Sequence, residues 1–195
     1  MIYYFGDAYD LDGNIARAYN SHIELVPRDE DWIVLTDADF MFLTPSYGHI
    51  ISEYLRRYKG YKLWTVYTNR VACRPQLQKD MFYELNIRKH KERAKWLVEN
   101  KKYSIKEIKR VISGYCMIFQ KKTWKEMGRF RGSGLFGIDT RFSHDILISG
   151  EKIGLMEAVY GFHFYRADNK DGKTSPYKDP QMNEQLKEQS GWFKD

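Results

Sequence analysis

Cysteine is scarce. Cys73 and Cys116 are the only two in 195 residues, and neither sits in a CxxC or a Cys/His spacing. A disulfide framework and a zinc ribbon are therefore excluded, and both residues are expected as free thiols in a reducing compartment. Long apolar runs are also missing, since no stretch approaches the roughly 20 residues that a membrane helix needs. The opening Met1-Ile2-Tyr3-Tyr4-Phe5 reaches Asp7 too soon to read as a signal peptide. Export and membrane spanning are not expected, and the expected location is cytoplasmic. Before about residue 167 there is no repeat, linker or low-complexity stretch, so one domain is expected with at most a small appendage. The polar residues 167–195, which include Pro176 and Pro180, are expected to form a mobile tail or a lid.

Core-forming and basic residues are plentiful. At 43% hydrophobic and 30% charged the chain has the composition of a globular protein. Its formal net charge of +6 suits an anionic partner such as nucleotide phosphates, nucleic acid or an anionic membrane surface. Fifteen tyrosines contribute to a large aromatic content. Such faces serve core and rim packing, and they can also stack on bases or sugars.

Apolar periodicity lays out alternating strands and helices. Residues 1–5 read as a short strand. Asp12-Gly13-Asn14 opens a helix in which Ile15, Ala18, Tyr19, His22 and Val26 keep helical spacing. The continuous run from Trp32 to Leu35 suits a buried strand of a parallel sheet, and it delivers Asp37-Ala38-Asp39 at its end. Thr44-Pro45 is expected as the N-cap and first-turn pair of a helix through Tyr58. Residues 62–67 alternate and read as another strand. Arg88 to Arg110 holds ten Lys/Arg against three Glu and reads as one or two amphipathic basic helices. Ser113-Gly114 leads into a strand from Tyr115 to Phe119, and residues 122–127 form a short helix stopped by Gly128. A loop with Gly132, Gly134 and Gly137 precedes a helix over 138–149, and a last strand from Val159 to Tyr165 carries His163. This alternation predicts an α/β fold, with a mostly parallel central sheet flanked by helices and a ligand site along one strand edge.

Two carboxylates one residue apart at the end of a buried strand are costly unless something compensates them. A divalent cation does so, because hard oxygen ligands and a substrate diphosphate complete its shell. Helix capping or pairing with Lys or Arg would do so too, and a lone DxD does not decide between them.

The order and intervals of several blocks add a resemblance. An Asn-bearing helix from Asn14 to Asn20 precedes the strand and its Asp37-Ala38-Asp39. Then come the glycine-led apolar strand Ser113 to Phe119, the basic and aromatic turn Lys122 to Phe130, Phe136 to Asp139, Gly150 to Ile153, and Gly161 to His163. Spanning roughly residues 13 to 166, this resembles the family 2 type glycosyltransferases of GT-A fold. The resemblance implies a single GT-A (Rossmann-like) domain over 1–166, with 69–112 as a variable, acceptor-side helical segment. It implies metal-dependent transfer of a sugar from a nucleotide-sugar, most commonly a UDP-sugar, to a glycan or glycoconjugate hydroxyl, with inversion. Asp39 and His163 would hold Mn²⁺ or Mg²⁺, with Asp37 sharing the metal or contacting the ribose. Asp139 would be the general base, with Asp145 as its competitor; as a helix N-terminal carboxylate, Asp139 should have a lowered pKa, which weakens a base. The chain departs from the family in two places. Ile138 stands where a Glu is usual, and residues 1–14 are too short for an additional strand and helix. The nucleoside contact is therefore sought among Phe5, Gly6, Asp7 and Arg17.

The rival reading is a nucleic-acid-binding protein or metal-dependent nuclease, motivated by the charge, the basic segment and the aromatics. No recognised nucleic-acid module is present, and nucleic acid is not expected as a partner. A phosphatase of the haloacid dehalogenase type would want a small hydroxyl residue or valine after the second aspartate, where Phe40 stands. A catalytically idle sugar-nucleotide binder is kept open by Ile138. The segment 88–110 reads either as a solvated helix face or as a surface for an anionic glycan, a lipid phosphate or peripheral contact with an anionic membrane.

Overall fold

The computed structural model describes residues 1–6, 13–132, 134 and 136–164. β1 (Ile2–Gly6) is followed by α1 (Ile15–Glu24), whose N-cap Asn14 accepts the Arg17 N–H. Then come β2 (Trp32–Thr36), a short β3 (Phe40–Phe42) and α2 (Tyr47–Arg57). β4 (Leu63–Thr68) leads to α3 (Ile87–Lys101) and β5 (Ile105–Ile108). β6 (Cys116–Gln120), α4 (Lys121–Glu126), α5 (Ile138–Ile148) and β7 (Ile153–His163) complete the order. Among the described residues no helix is long and apolar enough to cross a membrane. Cys73 and Cys116 are both free thiols.

The seven strands make one mixed sheet in the order β1-β2-β6-β4-β7-β3, with β5 also on β7. β7 is long enough to carry two partners along one edge: β5 against Ile153–Met156 and β3 against Gly161–His163. Its other edge pairs in parallel with β4. The expectation of a mostly parallel sheet is corrected here. Only β1–β2 and β4–β7 are parallel, while β2–β6, β4–β6, β3–β7 and β5–β7 are antiparallel. An apolar run such as residues 115–119 is buried on both faces whichever way it points, so its pattern carries no information on direction.

Both faces of the sheet are covered. Ile33, Leu35, Leu63 and Phe119 pack with Ile23 of α1, Trp124 of α4 and Phe142 and Ile146 of α5. The alternate residues Val34, Trp64 and Ile118 face Ile51, Tyr54 and Leu55 of α2. This period of two with apolar residues on both sides explains why all six residues of β4 are buried, where alternation with exposed positions was expected.

Further expectations change, and the last strand, expected from Val159 to Tyr165, runs from Ile153 to His163. α2 does not begin at Thr44-Pro45, because its N-cap is Ser46, in the left-handed region at φ 53° and without a side-chain cap. Thr44 is buried instead, and its hydroxyl accepts the Tyr160 N–H at 2.8 Å, tying the chain to β7. The basic segment forms one helix and then a strand, since β-branched Ile105 and Ile108 take ladder positions on β7. The tail expected over 167–195 lies outside the described residues.

Candidate active site

The site is assembled at one end of the sheet. The register pairs Gly6 with Thr36, Thr36 with Cys116 and Thr68 with Gly161. The C-terminal ends of β1, β2, β4 and β7 therefore meet the start of β6 on the same edge. Asp37-Ala38-Asp39 links β2 to β3 over the ends of the strands that separate them. Its backbone is held at three points: Asp37 N–H donates to the Tyr115 carbonyl, Phe40 N–H to the Asp37 carbonyl, and Phe164 N–H to the Asp39 carbonyl. Pairing of Phe40 with His163 then brings Asp39 beside the histidine.

Asp37, Asp39 and His163 each offer one ligating atom, all within 4.8 Å of one another. His163 Nε2 lies 3.1 Å from Asp39 Oδ1 and 3.6 Å from Asp37 Oδ2. The tautomer of the neutral ring is fixed by its other nitrogen. Nδ1 lies 2.8 Å from the Arg70 carbonyl, which can only accept, so Nδ1 carries the proton and Nε2 a lone pair. A lone pair aimed at two carboxylates is unfavourable unless a proton or a cation lies between them. Burial lowers the His163 pKa, but Asp37 and Asp39 outweigh it and the net direction is upward. The donor set, one imidazole nitrogen and two carboxylate oxygens, has the chemistry to hold a divalent cation. His163 is 5% exposed while both aspartates are 44% exposed, so ligands reach the cluster from the carboxylate side.

The histidine is clamped by residues that sequence reasoning did not single out. Asn69 Oδ1 accepts the His163 backbone N–H at 2.8 Å. The Tyr115 ring stacks on the imidazole at 5.3 Å, while its buried hydroxyl donates to the Val66 carbonyl. The carbonyl of Arg70 carries no side-chain signature, so no sequence signal could have found it.

Asp139 lies in the first turn of α5, after Gly137 at φ 88°. It shares a cleft of about 290 Å³ with Asp37, His163, Ser113, Gly114 and Phe136. Its Oδ2 accepts the Gly114 N–H at 2.8 Å and its Oδ1 the Thr140 N–H at 2.7 Å. Burial raises its pKa, the two N–H donors lower it, the Asp37 charge raises it, and the net shift is upward. The lowering expected of a helix N-terminal carboxylate is thus outweighed by burial. Gln76, buried on the preceding segment, clasps the strand that presents Gly114. It accepts the Ser113 N–H at 2.8 Å and donates to the Ser113 carbonyl and to Thr65 Oγ1.

The remaining candidates are distributed as follows. Gly6 ends β1 at the same edge, whereas Asp7 lies outside the described residues. Arg17 is on the exposed face of α1 and lines a separate groove with Asn20, Ser21 and Arg129, so it is not brought to the cleft. Asn20 has a structural task there, accepting from Trp124 Nε1 and the Phe130 N–H. Asp145 pairs with Arg131 and does not line the cleft. Comparison with known proteins returned no matching family model and no significantly similar curated protein.

Proposed function

We propose that the chain is a metal-dependent nucleotide-sugar transferase built as a single GT-A domain, using a UDP-sugar and a glycan or glycoconjugate hydroxyl. One observation carries this reading: Asp37 and His163 of the His/carboxylate cluster share one cleft at the strand ends with Asp139, a part-buried carboxylate of raised pKa. Asp39, His163 and Asp37 would hold Mn²⁺ or Mg²⁺, which when bound offsets the charge of the departing nucleoside diphosphate. Asp139 takes the proton of the acceptor hydroxyl, and its raised pKa brings it nearer to the working range of a general base. The N–H groups of Gly114 and Thr140 fix the direction of its carboxylate. Direct attack by the acceptor then inverts the anomeric centre.

The test is nucleotide release from a panel of UDP-hexoses with Mn²⁺, comparing wild type with Asp139→Asn. The reading expects turnover to fall by about 10²- to 10⁴-fold while binding of UDP with Mn²⁺ is kept. Wild-type turnover in Asp139→Asn would remove the base from the account. Turnover independent of metal would remove the cluster.

A further inference from the structure

A separate groove, of about 380 Å³, is lined by Asp39 but not by Asp37, His163 or Asp139. Its walls are apolar except for Asp39: Met41, Leu85, Ile87, Phe162 and Phe164 line it. Met41 is 49%, Leu85 52% and Phe164 54% exposed, a run of bare apolar surface of the kind that marks an interaction site. β3, which supplies Met41, is the outer strand of the sheet on this side.

The helix that borders the groove carries the matching charge. Ile87 opens α3, and Lys91 and Lys95 follow it at intervals of four, with Arg88 beside them on the exposed side. The buried face of this helix is His90, Ala94 and Leu97, so the cationic stripe points outward along the flank where Ile87 meets the groove. Lys95 lies 3.8 Å from Glu99, a loose pair, while Arg88 and Lys91 take part in no ion pair among the described residues. A bare apolar groove next to a row of cations is complementary to an amphiphile with an anionic head, and not to a uniformly polar polyanion.

We propose that the Met41/Leu85 groove and the Arg88-Lys91-Lys95 stripe form a docking surface for an anionic lipid of a bilayer. The acyl part lies in the groove, the headgroup meets the stripe, and the Asp37/Asp39/His163 cluster is held close to the membrane. This surface goes beyond the transferase reading and is tested without it.

The experiment is cosedimentation of the full chain with phosphatidylcholine vesicles, with or without about 30 mol% phosphatidylglycerol, at physiological salt. Binding is expected only with the anionic lipid. Each basic residue is worth about fivefold near such a surface, so Arg88→Gln/Lys91→Gln/Lys95→Gln should weaken binding by about 100-fold. Met41→Ser/Leu85→Ser should weaken it by about tenfold or more. Both sets change exposed side chains outside the core, so their cooperative thermal unfolding without ligand should match wild type and report an intact fold. Binding lost by the triple variant but untouched by Met41→Ser/Leu85→Ser would overturn the groove. No vesicle binding, equal binding to neutral vesicles, or displacement by a single-stranded oligonucleotide acting through the same three cations would overturn the proposal. None of these outcomes bears on nucleotide binding, so the two readings fail separately.

Discussion

Replacing Gly114 by alanine places a Cβ 2.7 Å from the Asp139 Cβ and 3.2 Å from its Cγ and Oδ2. Carbon atoms in contact sit at about 3.5–4.0 Å, so the two segments must separate by roughly 1 Å. Neither is free to do so. Ser113 is clasped on both backbone groups by Gln76, and Asp139 is seated in a helix whose Ile138 and Phe142 are core residues. Overpacking of this kind costs about 1–3 kcal/mol. For a chain of this size each kcal/mol moves the midpoint by about 2–4 °C, so Tm should fall by about 2–12 °C. A carboxylate displaced by about 1 Å should also lose about 10²-fold in turnover of a UDP-hexose. The clash is with one side chain, and that gives a control. In an Asp139→Gly background the Gly114→Ala change should be cheaper by about 1–3 kcal/mol, a coupling that a double-mutant cycle reads directly. An unchanged Tm in Gly114→Ala, or the same loss in both backgrounds, would refute the reasoning.

Other perturbations act on single links. His163→Ala removes the only nitrogen ligand of the cluster, and the Mn²⁺ dissociation constant, read from the free-ion signal in electron paramagnetic resonance, should rise by more than about tenfold. Gln76→Leu leaves the Ser113 N–H and carbonyl without partners at about 1–3 kcal/mol each, so calorimetry should find Tm lowered by at least about 4 °C. His90 is buried between the Tyr160 hydroxyl and the Glu84 carbonyl, and burial lowers its pKa. Below the unfolded value near 6.5 the unfolded chain therefore binds a proton that the folded chain refuses. The His90 contribution is complete above that pH and is lost as pH falls through the window below it. His163, with its raised pKa, acts with the opposite sign in the metal-free protein, so the comparison is between wild type and His90→Gln: the variant should lose less stability between pH 7 and pH 5 in urea titrations.

The element boundaries were legible where side chains encode them. Asn14 caps α1, Gly128 and Gly150 follow α4 and α5 at positive φ, and the run from Trp32 is a buried strand. Strand direction was not legible, because residues 115–119 present the same apolar pattern either way. Thr44 carries the signature of a helix cap and spends its hydroxyl on β7, a contact 116 residues away that no local pattern records. At the site, Asp37 and Asp39 were legible as paired carboxylates at a strand end, whereas His163 and Asp139 were singled out only through the family resemblance. What holds them was not legible: a carbonyl of Arg70, a glycine that must lack a Cβ, and a buried glutamine whose partners are backbone groups.

The central claim is a metal-dependent nucleotide site at the end of this sheet, and thermal unfolding with UDP or GDP, each with and without Mn²⁺, tests it most directly. A ligand at about 100 times its dissociation constant adds about 2.7 kcal/mol, which raises Tm by about 5–11 °C here. The account predicts a shift that needs nucleotide and metal together and is absent in Asp39→Ala. No shift with either nucleotide, or a shift produced by an oligonucleotide alone, would contradict it.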